Sequence, residues 1–182
     1  MQVLSYLITS CLIFSACNGV KNARDSTENR NLLGDSPLHL AVSDGNLSAI
    51  KHLVESGADP NLKDSVGFTP FYDAVIYYEG NSNRQLQAAA DLSLWQDSSG
   101  NARHAKFMEI IIYLLYHGAS PNVPDKWGGT PHFDAAKFCD SAMITLLVKH
   151  GAIKNVKNMK AETPLDVAKS HGCSDGVRAL LE

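Results

Sequence analysis

His39, His132, the aspartates Asp73, Asp134 and Asp166, and four cysteines are the residues whose types and spacing could carry chemistry in this 182-residue chain. Hydrolysis would need a nucleophile held against a base, and a zinc site would need ligands at short, fixed spacing. Neither His-Glu-x-x-His nor Cys-x-x-Cys occurs, and there is no Gly-x-Ser-x-Gly elbow or phosphate-cradling glycine loop. Asp73, Asp134 and Asp166 read as one repeated position, which argues for solvated helix faces rather than a converging acid-base pair. No catalytic residue, metal ligand or cofactor is expected, and the chain reads as a non-enzyme. Sixteen Lys and Arg against nineteen Asp and Glu give a net charge of -3 with no basic cluster, so nucleic acid is not an expected partner.

The elements that position these residues follow from self-similarity. Gly34-Asp-Ser-Pro-Leu-His-Leu-Ala returns as Gly67-Phe-Thr-Pro-Phe-Tyr-Asp-Ala, Gly128-Gly-Thr-Pro-His-Phe-Asp-Ala and Ala161-Glu-Thr-Pro-Leu-Asp-Val-Ala. Pro37 and Pro70 are 33 residues apart, as are Pro131 and Pro164, while Pro70 and Pro131 are separated by 61, one period plus 28 residues. Gly57-Ala58, Gly118-Ala119 and Gly151-Ala152 keep the same spacings. Ser36-Pro37 starts a first helix with Leu38, Ala41 and Val42 on its buried stripe. Asn46 caps a second helix carrying Leu47, Ile50, Leu53 and Val54, which Gly57 closes in the left-handed conformation. The same frame places Met108, Ile111, Leu114 and Leu115, then Ile144, Leu147 and Val148, then Val177, Leu180 and Leu181 in the core.

Period and motif together resemble the ankyrin repeat. The resemblance implies an all-α solenoid of about four helix-turn-helix units with β-turn tips over residues 31–182, in repeats 31–63, 64–124, 125–157 and 158–182. It also implies that His39 hydrogen-bonds from turn to turn, while His132 replaces an apolar core residue. The extra 28 residues, 79–106, fall within the second unit. There Asp97-Ser98-Ser99-Gly100-Asn101 reads as loop, and Gln85 to Trp95 as a short helix folding back onto Ile112, Tyr113 and Tyr116 with Trp95 as anchor.

Leu4 to Phe14 is too short an apolar run to span a bilayer and ends at Ser15-Ala16-Cys17, which looks like an export signal over residues 1–16. Phe14-Ser15-Ala16-Cys17 is similar to a bacterial lipobox, with Cys17 the lipidated residue and Asn18 resembling outer-membrane sorting. The lipid anchor is then the only expected membrane contact. A soluble periplasmic or secreted protein is the alternative. Residues 17–30 are polar and charged and read as a lipid-anchored flexible tether. Cys139 and Cys173 lie one unit apart and are expected to be free thiols, because stacked units hold equivalent Cα atoms beyond the ~7 Å that a bridge spans.

Repeats of this kind present a concave surface made by the turn tips and the exposed side of the first helices. The frame maps Leu32, Leu33, Asp35, Val66, Phe68, Ile76, Tyr77, Lys126, Trp127, Lys137, Phe138 and Met159 onto it, and Arg84 onto the outer rim of the insertion. Aromatic residues are enriched where proteins bind, so another protein is the expected partner. Size, address and fold resemble periplasmic immunity proteins that block type VI secretion effectors, lipases among them. The second reading is a periplasmic accessory protein supporting an exported enzyme such as catalase.

Overall fold

The computed structural model describes residues 30–80 and 100–182. Among them are eight helices in chain order: α1 (Pro37–Ser43), α2 (Leu47–Glu55), α3 (Pro70–Tyr78), α4 (Gly100–Tyr116), α5 (Pro131–Lys137), α6 (Ser141–Lys149), α7 (Pro164–Ser170) and α8 (Asp175–Leu181). The odd-numbered helices each begin on a proline, where the missing amide would have had no partner. Ser36, Thr69 and Thr163 accept hydrogen bonds from the backbone of the third helical residue at α1, α3 and α7. Asn46 and Asp140 do the same at α2 and α6. Caps of this kind are worth about 1 kcal/mol each, which matters for helices of seven to nine residues that would not hold alone. Gly57, Gly118 and Gly151 have positive φ, as the closing positions require.

Stacking hides what each short pair cannot. Leu38, Val42, Ile50, Phe71, Ile111, Leu114, Ile144, Leu147, Val177 and Leu181 are buried in one continuous core. Between units, main chain and amide side chains supply the register. Asn61 donates to the Gly118 carbonyl (2.8 Å) and accepts from the Ser120 amide (2.7 Å). Asn122 repeats the clamp on Gly151 and Ile153, both at 2.8 Å. His39 accepts from the Ser36 amide through Nδ1 (3.1 Å), which leaves its proton on Nε2 to donate to the Phe68 carbonyl of the next turn (3.2 Å).

Four expectations need correction. Gly100 to Lys106 is helical, so α4 runs 17 residues where loop was expected. With no proline in this stretch a helix once nucleated propagates, and Lys106 lies against Gly45 of the first unit while His104 meets the Tyr78 ring at 5.0 Å. Cys139 and Cys173 form a disulfide, with Cα atoms 5.3 Å apart. Cys139 has a φ of 57° at the position where the first and fourth units carry Gly45 and Gly172, and Cys173 stands one residue beyond the strict period, so the two cysteines do not occupy equivalent positions. Asp73 is only 5% exposed rather than solvated. Asp166 is exposed but does not share its position, since it pairs with Thr163 in the capping box as His39 does with Ser36. The proposed packing of Trp95 lies outside the described residues. Of its expected targets, Ile112 and Tyr116 are exposed, and Tyr113 stacks on His117 at 4.0 Å.

Candidate protein-binding surface along the turn tips

Each tip is built the same way. Asn31, Asp64, Asp125 and Asn158 accept, through one side-chain oxygen, the backbone amides two and four residues ahead at 2.7–3.0 Å. Such Asx turns pre-form the bend without help from a neighbour. Tip then joins tip: Ser65 donates to the Leu33 carbonyl (3.2 Å), Lys126 to Val66 (3.1 Å) and Met159 to Trp127 (2.9 Å). The stack is tight because Gly34 and Gly67 lie beneath it; a Cβ on either would sit 2.8–2.9 Å from the following turn's backbone. Sequence reasoning missed these four Asx residues, although they keep the same 33, 61 and 33 spacing as the prolines.

The ladder aims one row of side chains outward. Trp127 is 57% exposed and Met159 77%, with Leu32, Leu33 and Lys126 also exposed beside them. Val66, Phe68 and Ile76 are half-buried, and Phe68 leans edge-on against Tyr72 with ring centroids 4.7 Å apart. Phe138 is exposed at the end of α5, with the Lys137 ammonium 5.5 Å over its ring. Two expected members are absent from the surface. Tyr77 is 7% exposed and stacks on Phe107 at 5.5 Å, because α4 continues over α3 where a solvent-facing helix side was expected. Asp35 is buried. Arg84 lies outside the described residues.

Behind the tips the first helices carry an acidic flank. Burial pushes the Glu79 carboxyl up to about 8, and the nearby Asp140 and Asp134 charges add to the effect. Burial and the Asp140 carboxylate push Tyr78 up to about 12. Burial and Asp134 likewise raise Tyr72, and burial raises Asp134 itself. Asp73 is held well above the usual carboxylate range by burial and then by Asp35. Potential ligand atoms of His39, Asp64 and Asp73 lie within 4.8 Å of one another, all buried. Both His39 nitrogens are engaged within the turn, so this group ties the first two units together. What the outer face offers is shape, apolar area and a negative flank, which suit binding rather than bond-breaking.

Residues 33–65 match the ankyrin repeat family model, and residues 101–182 match the model for ankyrin repeats in three copies. The chain belongs to the ankyrin repeat family. Its ankyrin repeats are 28% identical over 167 residues to transient receptor potential cation channel subfamily A member 1 of Homo sapiens, covering 82% of this chain and 15% of that protein. They are 28% identical over 142 residues to SH3 and multiple ankyrin repeat domains protein 2 of Homo sapiens, covering 74% and 8%. Neurogenic locus notch homolog protein 1 of Danio rerio is 30% identical over 138 residues, covering 72% and 6%. The chain thus spans less than a sixth of these relatives, and the likeness is one of repeats. Ankyrin repeats are a protein-interaction scaffold, and that much holds for this chain.

Proposed function

We propose that this ankyrin chain is an exported module that captures a partner protein on its turn tips. The observation that carries the reading is the row of exposed apolar side chains, Leu33, Trp127 and Met159, held in register by the tip-to-tip hydrogen bonds. Large apolar groups on rigid backbone lose little entropy on binding and act as anchors. The Cys139–Cys173 bridge favours an oxidising compartment, and so supports export by the apolar segment before Cys17, which we take as the lipidated residue of an outer-membrane lipoprotein. The most specific role consistent with address and size is immunity: the tips would cover the active site of a lipase-type effector delivered by type VI secretion.

The test pairs the purified chain with the lipase effector encoded beside it. The wild type should abolish lipase turnover, and the Trp127→Ala/Met159→Ala double variant should lose at least tenfold in affinity with its unfolding midpoint unchanged. Full inhibition by the variant would reject the tip surface, and active lipase in the presence of excess wild type would reject the immunity role. Loss of radiolabelled palmitate on Cys17→Ser would bear on the anchor separately.

A further inference from the structure

His132 is the second residue of α5, where the other first helices carry Leu38, Phe71 and Leu165. Its exposure is 0%, and neither ring nitrogen has a hydrogen-bond partner among the described residues. A buried polar group without a partner is rare and costs stability in its own right. An imidazole here also carries a liability that leucine lacks, because it can take a proton. We infer that His132 makes the junction between the third and fourth units acid-labile, so that mild acid opens it and releases whatever the Trp127 and Met159 tips hold. The release half rests on the tip-binding reading; the lability half does not.

The surroundings offer a charged ring no compensation. Burial lowers its proton affinity first, the Lys154 ammonium after α6 lowers it further, and the Ile153 backbone opposes both only in part. On its own helix, Asp134 turns to Tyr72. From α3, Asp73 is directed to Asp35 and Tyr72 to Asp134. From α6, Lys149 is exposed and the following His150 meets the Tyr116 ring edge at 5.6 Å. From α7, Asp166 is engaged by Thr163 and Lys169 is exposed. The folded state therefore binds this proton less readily than the open state does. Stability is complete above the open-state value near 6.5 and falls as pH drops below it, by up to about tenfold in the folding equilibrium per pH unit. Ile153 and Lys154 lead directly into the turn whose Met159 amide bonds Trp127, so the opening is placed at the tips.

The experiment uses the whole chain without a partner. Denaturant unfolding of wild type and His132→Leu is compared between pH 7.5 and 5, together with hydrogen exchange at the Met159 amide and nitrogen-15 spectra of the His132 ring. The wild type should lose up to tenfold per unit below pH 6.5 relative to the variant, with Met159 exchange accelerating in the wild type alone. Parallel pH profiles overturn the inference. So does a His132 ring in the folded wild type that titrates near 6.5 without loss of stability, a result that needs no variant to fold. Because no partner is present, either outcome leaves the capture reading to its own test.

Discussion

Removing the Cys139–Cys173 bridge tests the reasoning about the last two units most directly. The bridge closes a segment with a sequence separation of 34. Chain-entropy bookkeeping for such a loop gives about 3–4 kcal/mol at 25 °C. Stability in a solenoid is a sum over units and their interfaces, so the loss should fall first on α7 and α8. A second term follows from the backbone. Once freed, Cys139 still occupies a φ of 57°, which costs a residue with a Cβ about 1–2 kcal/mol relative to glycine. Cys139→Gly/Cys173→Ser should therefore exceed Cys139→Ser/Cys173→Ser by about 1 kcal/mol, although neither can form the bridge. Urea unfolding of the three proteins, with amide exchange to locate the loss, provides the measurement. A bridge-free protein within about 1 kcal/mol of the wild type, or serine and glycine variants of equal stability, would show the reasoning to be mistaken.

Two further outcomes are expected. Ala161 has a φ of 62° where the other three tips have glycine, and its Cβ meets no later turn among the described residues, so Ala161→Gly should stabilise by about 1 kcal/mol and raise the thermal midpoint by ~2–4 °C. Glu79, pushed up to about 8 from its ordinary 4.5, holds a proton in the folded state that the unfolded chain has released. Its contribution is present below 4.5 and is lost as pH rises through about 8, so Glu79→Gln should flatten the stability profile across that window in denaturant titrations.

The parts of this fold legible from sequence are those encoded locally. Ser36, Asn46 and Gly57 could be placed because a cap or a left-handed turn needs a particular residue type whatever surrounds it. His39 could be placed by its motif, and the tips by their period. What failed depends on neighbours distant in sequence. Tyr77 is buried because α4 begins seven residues before Phe107, at Gly100, and α4 lies along α3. Asp73 is buried because its position looks back onto Asp35 of the preceding unit. The bridge escaped because a one-residue departure from the period, at Cys173, decides whether two cysteines meet. On the surface, Trp127 and Lys126 stand exposed as the frame required, whereas Val66 and Phe68 are half-buried between stacked turns.

The hydrogen bond from Lys126 to Val66 closes over a sequence gap nearly twice as long as those at the other junctions, yet at 3.1 Å it lies between their 3.2 and 2.9 Å. Tip spacing is therefore insulated from the number of residues between Gly80 and Gly100. Evolution can lengthen, shorten or rewrite that interval without moving Trp127 relative to Leu33, and a protein engineer can graft a reporter there by the same licence.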